Sequence, residues 1–317
     1  MRAFAIDEFG TPGSLQDLPA LRAGANEIVV AIAVAGVNPI DWKVRDGMAG
    51  KRPLPLVLGQ DFAGVVDSVG DGVTRFKRGE RVFGIAREHG GYADYTALAL
   101  DDHGSPVAAT PAELDDVRAA AIPTAGLTAL AGLVALGAEN GRSVLILGAT
   151  GGVGAFATQL ARVRGARIVA TASEKNHDFA LSLGAGDVAD YDREDVVETV
   201  KAWYPEGVDG ILDLVSKDAD SVAKMAPLLA PGGKLVSTNH AADEAWFSER
   251  GFHALNISLA TTPQSSPEGL TELADMVTAG TIRVFVEQHA PLADAAAILE
   301  QSKTGKVGGK AVLTVTA

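Results

Sequence analysis

The stretch LILGATGGVGAFATQLAR, residues 145–162, sets Gly148, Gly151, Gly152 and Gly154 between an apolar run and an amphipathic segment. The uncharged run SVLILG reads as a strand. Val153, Phe156, Ala157, Leu160 and Ala161 recur at helical spacing, with Gln159 and Arg162 turned away and Gly165 as the stop. In such a turn the first glycine permits the sharp bend, the second lets a phosphate approach the backbone, and the third lets helix and strand pack closely. The helix N-terminus then offers unpaired N–H groups to an anion. The spacing is G-x-x-G-x-x-G, and no Lys-Ser or Lys-Thr follows as a nucleoside-triphosphate loop needs. A tight turn with no ligand is the alternative that the rest of the chain has to decide.

Strands and helices alternate around this turn. SVLILG, ARIVATAS, DVADY, GILDLV and GKLVST are separated by helical segments, which argues for a parallel sheet covered on both faces. Ahead of it, from Met1 to about Pro111, short apolar runs between turn residues (EIVVAIAVAG, LVLGQDFAGVVDSVG, ERVFGIA, ADYTALAL) argue for a mostly β domain. The opening MRAFAIDEFG reads as a strand, not a targeting segment. After about Arg283 the β character returns with IRVFVEQ and AVLTVTA. At 317 residues, two domains are expected on a prior of about 150 residues each. The expected division is residues 1–118, an α/β domain over 119–282, and a segment 283–317 that returns to the first domain.

The 27 basic and 40 acidic residues give a formal charge of −13, with no block of Lys or Arg, which argues against nucleic acid and anionic membranes as partners. Residues 119–138, AAAIPTAGLTALAGLVALGA, are uncharged but interrupted by Pro123, Gly126 and Gly132, and read as buried helix rather than a membrane span. A cytoplasmic location is the expectation. With no cysteine, disulfides, thiolate nucleophiles and sulfur-ligated zinc are excluded. The six histidines show no H-E-x-x-H spacing. His89 reads as a loop residue near a cleft, and His103, His177, His240, His253 and His289 as surface or satisfied core residues.

Several motifs in order resemble the zinc-independent quinone oxidoreductase (zeta-crystallin-like) branch of the medium-chain dehydrogenase/reductase superfamily. They are GVNPIDWKVRDG at 36–47, LGQDFAGVV at 58–66, FKRGERVFG at 76–84, GGYADY at 90–95, GATGGVGAFATQLAR at 148–162, and GKAVL near the C-terminus. The resemblance implies an α/β fold: a Rossmann doubly wound parallel sheet plus a GroES-like, mostly β N-terminal domain completed by the C-terminal segment. It also implies a homodimer paired through the Rossmann sheet. Zinc dehydrogenases of the superfamily carry Cys where this chain has Asn38, and His-Glu where it has Gln60 and Asp61. An amide is a poor substitute for a thiolate or imidazole at zinc, so no metal is expected.

The second Rossmann strand ends in Thr171, Ala172 and Ser173 rather than in the acidic residue that accepts the ribose hydroxyls of NAD. Small residues there leave room for a 2′-phosphate, and Lys175 supplies a charge, although Glu174 stands close enough to contest it. By the resemblance Tyr191 lies beside that phosphate, Thr128 touches the cofactor's central region, and the loops holding Val215 and Thr238 border the nicotinamide. Backbone at Gly151, Gly152 and Val153 is expected on the pyrophosphate. NADPH is the expected cofactor.

Hydride transfer without a metal needs an acceptor that is already electrophilic, such as a quinone or the conjugated double bond of an α,β-unsaturated carbonyl. Charge developing on the carbonyl oxygen needs a donor. The candidates are the Asn38 amide, the Lys43 ammonium and the Tyr92 hydroxyl. Plainer roles are open to this loop: Asn38 holds its own loop before Pro39, Asp41 caps or braces that loop, and Lys43 is solvated beside Trp42. Water is the other source of the final proton. Two rivals stand beside this reading: an enoyl-thioester reductase, and a non-catalytic NADPH-binding redox sensor.

Overall fold

The computed structural model describes residues 1–50, 52–88, 90–100, 105–305 and 308–315. The chain forms two compact units, Met1–Ala125 with Ser266–Ala317, and Gly126–Ser265. The second unit begins later, at Gly126, and ends earlier, at Ser265, than the 119–282 expected for the α/β domain. The amphipathic helix Pro267–Thr278 packs on strand Val107–Ala109 of the first unit. The stretch 119–138 read as one buried helix is two, Asp116–Ala121 and Pro123–Leu136, because Pro123 cannot continue the hydrogen-bond ladder of the first. The former helix packs on strands Glu27–Val37 and Asp61–Val69, which draws residues 119–121 into the first unit.

The first unit holds a seven-stranded sheet. Its order is Val286–Pro291, Lys310–Thr314, Glu27–Val37, Asp61–Val69, Arg81–Ile85 and Val107–Ala109, with Tyr95–Ala99 also paired to Glu27–Val37. Strand Lys310–Thr314 runs antiparallel to Glu27–Val37, with Ala311 opposite Val37. The returning C-terminal segment is therefore an interior strand of this sheet. A three-stranded sheet, Ser14–Asp17, Arg2–Ile6 and Leu56–Val57, stands beside it. Phe4, Ile28, Ile32, Phe62, Tyr92 and Leu313 share one buried core.

The second unit is a six-stranded parallel sheet in the order Asp187–Asp190, Arg167–Ala172, Ser143–Leu147, Val208–Asp213, Leu229–Ser237, His253–Asn256. The order reverses beside the first strand of the unit, and ligands of such sheets bind outside the carboxyl ends at this reversal. Strand Ser143–Leu147 is buried along its whole length, as an uncharged run predicts. No helix of the described residues is long and apolar enough to cross a membrane.

Candidate functional site

Two sets of polar residues stand out, one in each unit. In the second, strand Ser143–Leu147 runs into the glycine turn, and helix Gly152–Val163 leaves it. Gly148 sits at φ +81°, a left-handed conformation that a side chain resists. A Cβ on Gly154 would lie 2.1 Å from the Gly148 carbonyl oxygen, so helix and strand close to a distance only glycine permits. Thr171 holds the turn from the neighbouring strand by accepting the Gly148 N–H at 3.0 Å. Gly151, the helix N-cap, makes no side-chain cap, and a Cβ there would meet only the Gly148 oxygen at 3.5 Å. The first-turn N–H groups of Gly152, Val153 and Gly154 have no acceptor in their own helix. Gln159 is buried, against the outward orientation expected, and donates to the Ala155 carbonyl at 2.9 Å.

Most of the expected cofactor residues lie at the carboxyl ends of this sheet. Gly151, Gly152 and Val153 follow its first strand, Ser173 and Lys175 the second, Tyr191 the third, Val215 the fourth and Thr238 the fifth. Thr128 is half-buried in helix Pro123–Leu136. Val215 crosses the turn: a Cβ on Gly148 would stand 2.6 Å from its Cγ1. Asp213 aims that loop by accepting the N–H groups of Val215 and Ser216, each at 2.9 Å, and its own carbonyl accepts the Thr238 N–H at 3.1 Å. Ser173 is 5% exposed, and its Oγ has no hydrogen-bond partner. Tyr191 and Lys175 are exposed. Glu174 pairs with Arg193, a residue the sequence reading did not single out.

The first unit buries a charged cluster. Asn38 precedes the short helix Pro39–Arg45, which starts where proline fits the first helical position. Its backbone N–H donates to Asp41 Oδ2 at 2.8 Å, and its side-chain amide donates to Asp61 Oδ2 at 2.9 Å. Lys310, from the C-terminal strand, donates to the Asn38 side-chain oxygen and to the Val37 carbonyl at 2.9 Å, and lies 4.0 Å from Asp61 Oδ2. Thr124 gives Asp61 its hydroxyl hydrogen at 2.5 Å and its backbone N–H at 3.1 Å. The Tyr92 hydroxyl donates to Asp41 Oδ2 at 2.9 Å.

Asn38, Asp41, Asp61, Tyr92 and Lys310 are all buried. Burial pushes the Asp41 carboxyl up to about 7 despite its two donors, and its Oδ1 is buried with no partner. Burial also raises Asp61 and lowers Lys310, each opposed by the charge of the other. The Tyr92 phenol is driven well above its ordinary value, first by burial and then by the Asp41 charge. Lys310 and Asp61 face each other as the ion pair of the cluster, and the Asp41 carboxyl, at about 7, is poised near neutrality between its two forms.

Two of the three donor candidates are thus buried and hydrogen-bonded within the protein. The Asn38 amide is spent on Asp61 and Lys310, and the Tyr92 hydroxyl on Asp41. Both brace the loop instead. Lys43 is half-buried, its ammonium 5.8 Å from the Trp42 ring centroid. Sequence reasoning missed Lys310 altogether, although it lies in the quoted GKAVL, because nothing local marks a lysine as buried. His240, His253 and His289 are exposed and His177 half-buried, while His89 and His103 lie outside the described residues.

Comparison with known proteins agrees with this architecture. Residues 24–105 match the alcohol dehydrogenase GroES-like domain, and residues 183–313 match the zinc-binding dehydrogenase family. The quinone oxidoreductase of Homo sapiens is 35% identical over 243 residues, which is 74% of this chain and 72% of the human one. The chain belongs to the quinone oxidoreductase branch of the medium-chain dehydrogenase/reductase superfamily.

Solved members of the branch share the whole fold. The quinone oxidoreductase of Coxiella burnetii aligns over 100% of this chain and 99% of its own, with a TM-score of 0.91 at 32% identity. The Escherichia coli quinone oxidoreductase, solved in complex with NADPH, gives 0.91 at 28% identity over 99% and 100%. This branch member is accordingly an oxidoreductase with an NAD(P)-binding dehydrogenase fold. The zinc in the name of one matching family finds no fitting donor set here. Asn38 and Asp61, at two of the superfamily's metal-binding positions, are tied to the ammonium of Lys310, which supplies a cation already. Among the described residues no three His, Cys, Asp or Glu side chains gather as a metal set.

Proposed function

We propose that this chain is an NADPH-dependent reductase of quinones and α,β-unsaturated carbonyls that works without zinc. The observation that carries the reading is Lys310. Its buried ammonium stands against the residues at metal-binding positions, so the acceptor has to be electrophilic on its own. Conjugated carbonyls and quinones meet that requirement, and the names of the relatives support the quinone.

Gly151, Gly152 and Val153 fit a pyrophosphate: a Cβ at Gly151 would meet only the Gly148 oxygen at 3.5 Å, and the first-turn N–H groups have no acceptor in their own helix. Ser173, with its unpartnered Oγ, and Lys175 suit the 2′-phosphate, with Tyr191 beside it. Val215 and Thr238, fixed through Asp213, border the nicotinamide, and Thr128 serves the middle of the cofactor. NADPH, when bound, supplies the hydride, and the matching proton comes from solvent. Lys43 is the cation of the loop that is not buried and is the proposed partner for charge on the acceptor oxygen. Asn38 and Tyr92 are positioning residues that hold the loop carrying it. The protein is further proposed to be cytoplasmic and homodimeric.

The test is titration of chelator-treated protein with NADPH and NADH, followed by NADPH oxidation with a panel of quinones and enones. Tight NADPH binding and turnover insensitive to chelator are expected. Turnover restored only by zinc, or tighter binding of NADH, overturns the reading. Turnover confined to long acyl thioesters, or binding with no turnover, points to the thioester reductase or the sensor instead.

A further inference from the structure

We propose that Arg193 contacts the 2′-phosphate of NADPH, and that its ion pair with Glu174 sets how strongly this chain separates NADPH from NADH. The inference rests on the NADPH reading above and deepens it. Its starting point is the register of two strands. Arg167–Ala172 and Asp187–Asp190 run parallel with Ala172 opposite Asp190, and the Tyr191 N–H donates to the Ala172 carbonyl at 3.3 Å. Ser173 to Lys175 and Tyr191 to Arg193 therefore leave the sheet side by side.

Across that gap the Arg193 guanidinium pairs with the Glu174 carboxylate, and its Nε lies 4.0 Å from Asp190 Oδ2. The second, independent sign of a ligand is the buried, unpartnered Oγ of Ser173, which opens the first of these loops. A buried hydroxyl without a partner costs stability unless something brings one.

Charge makes Arg193 necessary. Around this spot Lys175 and Arg193 oppose Glu174 and Asp190, and the exposed Asp192 and Glu194 flank them. A phosphate monoester brings roughly −1.5 to −2 more. Lys175 alone is outnumbered, and a guanidinium matches two phosphate oxygens at once where an ammonium acts as a point charge. The existing pair is easily exchanged, since Arg193 and Glu174 are 64% and 61% exposed and such surface pairs contribute little. Glu174 has the complementary role: freed from Arg193, it can accept a ribose 2′-hydroxyl as acidic residues do in NAD sites. One ion pair thus carries a reader for each cofactor.

The experiment is equilibrium binding, read by nicotinamide fluorescence and independent of turnover. Wild type, Arg193→Gln, Glu174→Gln and the double variant are titrated with NADPH and NADH, and competed with adenosine 2′,5′-bisphosphate and AMP. Both positions are exposed, so unchanged melting temperatures are expected. Arg193→Gln is expected to weaken NADPH and the bisphosphate about ten-fold while NADH and AMP change less than two-fold. Glu174→Gln is expected to strengthen NADPH and weaken NADH. The double variant is expected to bind NADPH about ten-fold more weakly than Glu174→Gln, because a direct phosphate contact is lost whether or not Glu174 is charged. A double variant equal to Glu174→Gln shows that Arg193 merely screens Glu174 and overturns the contact. Equal effects of Arg193→Gln on both cofactors, or none, overturn it too. A wild type that fails to prefer NADPH overturns the underlying cofactor reading, a result distinct from a preference that survives Arg193→Gln.

Discussion

Tyr92 and Asp41 meet across 2.9 Å with both side chains fully buried, the phenol donating to Oδ2 of a carboxylate whose other oxygen has no partner. The contact joins residues 51 positions apart and turns a candidate substrate donor into a brace. Tyr92→Phe is therefore expected to destabilise the fold by about 1–3 kcal/mol, the range for leaving a buried acceptor short of a donor. Urea unfolding checks this. A fall in kcat with unchanged stability would instead return Tyr92 to the substrate.

Asp41 should make stability depend on pH. Its carboxyl titrates at 3.8 when free and at about 7 when folded, so the native state holds the proton more tightly. Its contribution to stability is greatest below pH 4, declines as pH rises to about 7, and is flat above. For an isolated carboxyl that interval corresponds to roughly 4 kcal/mol. Asp61, raised by burial as well, acts in the same sense. Subtracting the curve of Asp41→Asn isolates the effect: the variant should gain on wild type from pH 4 to 7 and then hold a constant lead. A difference independent of pH refutes the assignment.

Lys310→Met keeps the length of the side chain but removes the charge. Asp61 then lacks its buried counterion, and the Asn38 oxygen loses its donor. Breaking one half of a buried pair costs about 3–5 kcal/mol. Pairing it with Asp61→Asn should recover much of the loss, and a double-mutant cycle in urea measures the coupling.

Gly151 and Gly154 should respond differently to alanine. A Cβ at Gly151 would make only an ordinary contact with the Gly148 oxygen at 3.5 Å, and its φ of −76° suits any residue, so Gly151→Ala should fold normally yet bind dinucleotide at least ten-fold more weakly. At Gly154 the added carbon would collide with the Gly148 oxygen at 2.1 Å, and the variant should lose stability before binding is measured. Thermal melts and NADPH titration of both separate a ligand cradle from a packing glycine.

Local features were legible in the sequence, and long-range ones were not. The glycine turn declares itself within residues 145–162 because strand, bend and helix each leave a local pattern. Gln159 misled that pattern: polarity marked it as outward, yet its amide satisfies itself on the Ala155 carbonyl one turn back and stays buried. The helix Pro267–Thr278 is amphipathic, which tells that it packs but not on which sheet. The cluster of Asn38, Asp41, Asp61, Tyr92, Thr124 and Lys310 draws on segments up to 272 positions apart, and no periodicity encodes such a meeting. Arg193 escaped notice for a related reason, since its partner Glu174 follows a different strand.

The position of Lys310 also bears on the order of events during synthesis. Residues 38 to 124 of the cluster emerge first, then the whole of Gly126–Ser265, and only afterwards the strand that brings the ammonium. At about 5–20 residues per second the wait is roughly 10–40 s. Until then Asp61 is an uncompensated acid that water must solvate, and an interior strand of the first sheet is missing. The contiguous second unit can complete itself in that interval, so on the ribosome the later-starting unit is the first to finish.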